Sequence, residues 1–154
     1  MSLADVIMKR FFIGAVARVM QPGCRHDWMP ILIGDQNCGK TTFFQYLTPQ
    51  SLLDGTYPWV TTMQQGIEYL KEKPHALHSG FIVVMDEFER YTKRKYVEEL
   101  KNLVSVSVDR SARKYENEKS YPRSFVLAGA TNNTDFLVDP SGNRRFLPII
   151  VQGK

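Results

Sequence analysis

Cysteine is scarce in this chain of 154 residues, which contains only Cys24 and Cys38. Small secreted domains depend on several disulfides, and two cysteines do not supply such a framework. The cysteine content therefore excludes a disulfide-rich scaffold and predicts a protein of the reducing cytoplasm.

Long apolar runs are also lacking, although the segment 3–20 comes closest to one. Asp5, Lys9, Arg10 and Arg18 interrupt this segment, and no small-residue cleavage site follows it, so we expect no membrane span. Its apolar residues recur at helical spacing instead and predict an amphipathic helix packed on the domain. These residues are Leu3, Val6, Ile7, Phe11, Ala15 and Val19.

The chain shows no internal repeat, no low-complexity segment and no linker rich in Pro, Gly or Ser. It is long enough to bury a core of its own. We therefore expect residues 1–154 to form a single domain. The sequence is compatible both with a domain of a longer protein and with a short protein.

A phosphate-binding loop pattern, G-x-x-x-x-G-K-[ST], follows the apolar run 29–33. A loop between two glycines can wrap backbone N–H groups around phosphates, and the next helix directs its positive dipole end at the same anion. The alternative is a glycine-containing turn that binds nothing. The residues that match the pattern are Gly34, Asp35, Gln36, Asn37, Cys38, Gly39, Lys40 and Thr41.

Individual roles follow from this pattern. Lys40 is predicted to reach the β- and γ-phosphates of ATP, and Thr41 to place its hydroxyl on Mg²⁺. Thr42 is predicted to reach the α-phosphate. Asn37 stands where left-handed backbone angles are useful, and asparagine tolerates them better than most residues.

An acid pair, Asp86 and Glu87, follows the continuous apolar run 81–85. Such a run is typical of a parallel strand covered on both faces, and ligands bind at the carboxyl ends of these strands. Asp86 is predicted to hold the Mg²⁺ and Glu87 to orient and deprotonate the attacking water. The alternative is that both acids begin the next helix, whose positive end they favour.

Two polar groups near the later strands are further candidates. Asn132 follows the apolar strand 124–131 and is placed to sense the γ-phosphate or hold the water, or else forms an ordinary Asn-Asn turn with Asn133. Arg144 and Arg145 precede the last strand and are expected at the ligand-binding end of the sheet. There they would stabilise charge on the phosphoryl group, in cis or across a subunit boundary, unless they are surface arginines.

The positive charge is concentrated in residues 89–123, where ten Lys and Arg face six Asp and Glu, whereas the rest of the chain balances. The irregular part, 109–123, is predicted to be an exposed hairpin or loop. Basic and aromatic residues interleave there, which suits a nucleic-acid surface, although a solvated face explains the charge equally well. The candidate contacts are Arg113, Lys114, Tyr115 and Lys119.

The remaining pattern predicts a helix from Met63 to Lys71, capped by Thr61 and Thr62. His75 and His78 follow in a loop without a partner at metal-ligand spacing. Together the elements predict an α/β fold in three layers, with a mostly parallel central sheet flanked by helices.

With these motifs in place, the sequence resembles the virulence-associated protein E family of prophage and genomic-island ATPases, which are related to superfamily III helicases of the AAA+ group. The resemblance spans nearly the whole chain. It departs from the family pattern at Asn37, where glycine looks usual, and at Leu147, where a bulky aromatic often stands. The residues that carry it are Pro22 to Cys24, Gly34 to Thr41, Val84 to Glu87, Asp109 with Arg113 and Tyr115, Pro122 and Arg123, Ala130 to Asn133, and Asp139 to Pro148, of which Gly142 to Phe146 are the most distinctive.

The resemblance implies an ATP-dependent, Mg²⁺-dependent DNA helicase or translocase of mobile-element replication, in a bacterial or phage-infected cell. It implies a homo-oligomer that is active as a hexameric ring, with an arginine finger from Arg144 or Arg145. It further implies single-stranded DNA and replication proteins as partners. Two alternatives remain: an ATP-binding module that switches a replication partner without unwinding, and a small-molecule kinase, which the paired acids and terminal arginines disfavour.

Overall fold

A computed structural model describes residues 1–48, 59–111, 117–134 and 143–152. No helix in these ranges is both long enough and apolar enough to cross a membrane. The four α-helices of the described ranges are α1 (Leu3–Met20), α2 (Lys40–Gln45), α3 (Ile67–Glu72) and α4 (Val97–Ser105).

The central sheet consists of five parallel strands, which are β1 (Met29–Ile33), β2 (Val60–Met63), β3 (Ile82–Met85), β6 (Val126–Thr131) and β7 (Phe146–Ile150). Their order across the sheet is β2-β3-β6-β1-β7. The three central strands, β1, β3 and β6, are buried along their whole length. This burial explains their continuous apolar sequences and confirms the predicted α/β class with a parallel sheet between helical layers.

Helix α1 packs on one face of the sheet through Ile7, Phe11 and Ala15. Its first turn is stabilised by a capping box, in which Ser2 and Asp5 each accept a backbone N–H of the other. The predicted apolar face is confirmed only in part, because Leu3 and Val19 point to solvent.

Arg18 ties α1 to the chain beneath it. Its side chain is 2% exposed and donates hydrogen bonds to the carbonyl oxygens of Cys24, His26 and Phe125. Burial and the nearby positive charge of Arg123 lower the pKa of Arg18. Three carbonyl acceptors compensate for the loss of water around the guanidinium.

The prediction of a helix from Met63 to Lys71, capped by Thr61 and Thr62, is confirmed for residues 67–71 but is wrong in its start and its cap. Val60 to Met63 form β2, which pairs with β3, and the helix α3 begins only after Gly66. β-Branched residues fit a pleated sheet better than a helix, and the neighbouring strand β3 supplies the pairing partner. A short 3₁₀ helix, Pro74–Ser79, then leads into β3.

An antiparallel hairpin of β4 (Val108–Ser111) and β5 (Lys119–Pro122) follows α4 in the chain. The predicted hairpin is thus confirmed for its described strands, but its base is not exposed. Asp109 and Arg123 are buried and form an ion pair of 2.7 Å, which His78 joins through a 2.8 Å hydrogen bond to Asp109. Burial raises the pKa of Asp109, but hydrogen bonds from His78 and Arg123 outweigh it and hold that pKa below its usual value.

Candidate functional site

A cleft of about 440 Å³ opens at the carboxyl edge of the sheet. Its walls come from the loop after β1, the acids after β3 and the tip of β6. Because β6 lies between β1 and β3, its last residues lie between the end of β1 and the end of β3. Strand order therefore brings three segments that are distant in sequence to one site.

The predicted phosphate loop adopts a backbone that suits anion binding. Asn37 and Gly39 have left-handed φ angles of 65° and 90°, which confirms the expectation for Asn37. A Cβ on Gly39 would meet no atom within 4 Å in the described structure, so this position faces open space. Lys40 then begins α2, and the loop directs the amino end of that helix at the cleft.

Gly34 is required for a different reason. A Cβ there would lie 2.4 Å from the carbonyl oxygen of Val151 and 2.9 Å from Sγ of Cys38. The first glycine of the loop thus permits the chain after β7 to pass close against it, since Val151 N–H also donates to the Ile33 carbonyl.

The Lys40 ammonium lies folded over its own loop. Nζ donates to the carbonyl oxygens of Gly34, at 2.8 Å, and Asp35, at 2.7 Å, and lies 3.7 Å from Sγ of Cys38. An ammonium held at the mouth of the loop is positioned to exchange these weak neutral acceptors for a charged one.

Thr41 and Asp86 meet across 45 residues of sequence. Oγ1 of Thr41 donates to Oδ1 of Asp86 at 3.2 Å, and the same carboxylate oxygen accepts the Glu87 N–H at 3.0 Å. A hydroxyl and a carboxylate at this separation are the hard oxygen donors that suit Mg²⁺, so the residues present fit that ion.

Glu87 lines the cleft with a left-handed φ of 48°, which is rare for a residue with a side chain. Its side chain is 55% exposed and forms an ion pair with Arg90 at the end of the 3₁₀ helix Phe88–Arg90. The predicted water-activating carboxylate is therefore at the site and paired with an arginine of its own chain.

The tip of β6 contributes Asn132, which is exposed at the cleft as the sequence predicts. Two further residues that line the cleft, Thr131 and Glu89, are not predicted from the sequence. Oγ1 of Thr131 donates to Oε2 of Glu89 at 2.5 Å inside the cleft. The only signal is that Glu89 follows the acid pair by two residues, and no sequence period shows that its side chain turns inward.

Arg144 and Arg145 do not lie at the ligand-binding end of the sheet, so that expectation is wrong. They form a 3₁₀ turn ahead of β7, whose first residue, Phe146, pairs with Met29 at the amino end of β1. Because all strands run parallel, both arginines sit about 16 Å from the cleft edge, one strand length away. Nε of Arg145 donates to Oγ of Ser105 at 2.7 Å, whereas Arg144 is exposed.

The predicted nucleic-acid contacts Arg113, Lys114 and Tyr115 lie outside the described residues. Lys119 is exposed on β5 of the hairpin. The basic segment 89–123 exposes less positive charge than its composition indicates, because Lys101 and Arg123 are buried.

Comparison with known proteins identifies relatives of this fold. A family model described as "Virulence-associated protein E-like domain" matches residues 1–154. No curated protein matches the sequence.

Solved structures with the same fold include the apo C-terminal region of NrS-1 (residues 305–718). It has a TM-score of 0.60 and 20% identity over 97% of this chain and 36% of that one. JCV helicase, bound to a thiazolopyridine compound, has a TM-score of 0.52 and 18% identity over 100% of this chain and 42% of that one. The chain thus spans less than half of the length of these structures.

Proposed function

We propose an ATP-hydrolysing motor function on DNA for this chain, which belongs to the virulence-associated protein E-like domain family. One observation carries the proposal: the fold brings the phosphate loop, the acid pair and Asn132 together around a single cleft. The structural likeness to JCV helicase supports the motor class, and activity, metal and assembly are inferred from the site's chemistry.

Binding of the triphosphate rests on the loop and on Lys40. Backbone N–H groups of residues 36–41 and the amino end of α2 attract the phosphates, and the open space at Gly39 admits them. Lys40 would then leave the carbonyls of Gly34 and Asp35 for the β- and γ-phosphate oxygens, a stronger charge-assisted interaction.

Thr41 and Asp86 would hold Mg²⁺, which supplies positive charge to the phosphates when bound. Glu87 accepts a proton from a water whose oxygen attacks the γ-phosphorus. The bond from that phosphorus to the bridging oxygen breaks, and ADP and inorganic phosphate result. Glu87 must first leave Arg90, and the exposed position of this ion pair makes its separation inexpensive.

An arginine from a neighbouring copy completes the site. Arg144 and Arg145 are one strand length from their own cleft, so they serve a cleft only across a subunit boundary. Arg144 is exposed and is assigned as the finger, whereas Arg145 anchors the turn on Ser105. A hexameric ring with one cleft per boundary satisfies this geometry.

Single-stranded DNA is the proposed track, gripped by the basic hairpin. Arg110 and Lys119 are exposed on its two strands. Arg113, Lys114 and Tyr115, between these strands in sequence, remain predicted contacts.

The test is ATP hydrolysis with and without single-stranded DNA, measured across protein concentration. We expect Lys40→Ala and Glu87→Gln to abolish turnover and Arg144→Ala to lower it by about 10³- to 10⁵-fold. Mixing Lys40→Ala with Arg144→Ala protein should restore activity, because intact lysine and arginine then meet at some boundaries. The exposed Glu72→Ala variant is the matched control. Failure of the mixture, with both variants folded, refutes the shared site.

A second candidate is an ATP-binding switch that assembles without unwinding. The Glu87–Arg90 ion pair favours it, since this pairing withholds the proton acceptor. ATP-dependent assembly of the wild type without turnover, together with turnover gained in Arg90→Ala, would establish this function in place of the motor.

A further inference from the structure

Thr131 connects the three segments that form the cleft. Its carbonyl oxygen accepts the N–H of Gly34, at 3.2 Å, at the start of the phosphate loop. Its hydroxyl donates to Oε2 of Glu89 at 2.5 Å and accepts the N–H of Asn133 at 3.1 Å. Thr131 is 2% exposed, so water does not compete for these hydrogen bonds.

The direction of this chain of hydrogen bonds is determined by the groups themselves. A backbone N–H only donates, and an ionised carboxylate only accepts. The single proton of the Thr131 hydroxyl must therefore point to Glu89, which leaves an oxygen lone pair for Asn133 N–H. Removing the carboxylate frees the hydroxyl to rotate, and the hydrogen bond from Asn133 loses its fixed acceptor.

Glu89 differs from Glu87 in what its carboxylate does. Glu87 is mostly exposed, has a left-handed backbone and is paired with Arg90 on the surface. Glu89 is half-buried, and one of its oxygens accepts a short hydrogen bond from β6. This contact engages Glu89 with the tip of β6, so its carboxylate holds protein in place, whereas Glu87 is held by an exposed ion pair that separates easily.

We propose that Glu89 and Thr131 are positioning residues that hold Asn132 against the bound nucleotide and link its position to the acid segment. Asn132 lies between Thr131 and Asn133, whose hydroxyl and N–H are joined, so the backbone of this turn is closed by the link to Glu89. A movement of the acid segment is thereby transmitted to Asn132. This inference rests on the proposed ATPase function.

The kinetic test compares Glu89→Ala and Thr131→Val with the conservative variants Glu89→Gln and Thr131→Ser. We expect the first pair to lower kcat by about 10- to 100-fold, the range for groups that orient a ligand-binding residue. Their affinity for a non-hydrolysable ATP analogue should remain unchanged. Glutamine still accepts from a hydroxyl and serine still donates one, so both conservative variants should retain most of the activity.

A hydrogen-exchange measurement tests the same link without hydrolysis. The Asn133 amide should exchange faster in Glu89→Ala and Thr131→Val than in the wild type, in Glu89→Gln or in the control Glu72→Ala. A wild type that binds but does not hydrolyse ATP refutes the proposed function, and the exchange result still decides this inference.

Three outcomes would overturn the inference. Equal loss of activity in Glu89→Gln and Glu89→Ala, with Thr131→Val active, would make Glu89 a proton acceptor. A higher Mg²⁺ requirement in Glu89→Gln would place it at the metal. If Glu89→Ala and Thr131→Val leave the exchange of the Asn133 amide unchanged, the Glu89–Thr131 contact is only structural. The same holds if these variants lose both thermal stability and binding of the ATP analogue.

Discussion

His26 should make the stability of this protein fall as the solution becomes mildly acidic. Its ring is 8% exposed, and its centroid lies 4.7 Å from that of the Trp28 ring, with the two planes tilted by 38°. The ring also lies so close to α1 that a Cβ on Gly14 would sit 2.3 Å from Nδ1. Nε2 is buried without a hydrogen-bond partner in the described part of the chain. Burial, together with the positive charge of Arg18, lowers the pKa of His26 to about 4.

The magnitude follows from the difference between the folded and unfolded pKa values. Well above pH 6.5, His26 is neutral in both states and has no effect. As the pH falls from 6.5, His26 binds a proton in the unfolded chain, whereas in the folded protein it stays neutral until about pH 4. Protonation therefore favours the unfolded state in this range. At about 1.4 kcal/mol per pH unit, the protein loses about 2 kcal/mol between pH 7 and pH 5, and about 3 kcal/mol by pH 4.

The assay is urea unfolding of the wild type and His26→Phe across this range of pH. Phenylalanine keeps the aromatic contacts with Trp28 and Phe11 and removes the titrating nitrogen, so its stability should change far less between pH 7 and pH 5. Subtracting the two curves isolates His26 from the other titrating groups. Two parallel curves would refute the reasoning, because they would mean that His26 binds its proton equally well in both states.

The two loop glycines should respond differently to alanine. Gly34→Ala forces the Val151 carbonyl away and should lower the melting temperature strongly, whereas Gly39→Ala meets no atom of the described structure and costs folding only the left-handed strain of about 1–2 kcal/mol. Both should lower nucleotide affinity, Gly39→Ala because its methyl fills the space that admits the phosphates. Equal melting temperatures would contradict this. Asp109→Asn leaves the buried Arg123 without its charge partner and should destabilise by about 3–5 kcal/mol. The matched change Asp27→Asn, in the exposed ion pair with Arg25, should lower the free energy of unfolding by about 0–1 kcal/mol. An equal effect of both substitutions would contradict a stabilising role for the buried pair Asp109–Arg123.

The parts of the site that sequence predicts are those encoded by local chemistry. The glycines of the phosphate loop, the left-handed Asn37 and the apolar run before Asp86 each depend on near neighbours in the chain, and the structure has the expected loop and strands. The fold class follows as well, because continuous apolar strands separated by helices have few ways to be covered.

The parts that sequence missed depend on contacts between distant segments. Thr61 and Thr62 look like a helix cap until β3 offers them a strand to pair with. Asp109 and Arg123 look like surface charges, although each is buried because the other is present. Glu89 reads as one more acid in a charged segment until β6 brings Thr131 beside it.

The expected position of Arg144 and Arg145 at the ligand-binding end is wrong for the same reason, since it too depends on how distant strands pair. Their actual position bears on how the proposed site is completed. Parallel strands place every residue that precedes a strand at one edge of the sheet and every residue that follows one at the other. The phosphate loop, Asp86 and Asn132 follow their strands, whereas the two arginines precede β7. Stacking copies so that the amino edge of one sheet meets the carboxyl edge of the next would bring arginine and cleft together. Under the proposed function, a single copy thus binds ATP and assembly supplies the remaining charge, so turnover should increase with protein concentration more steeply than nucleotide binding does.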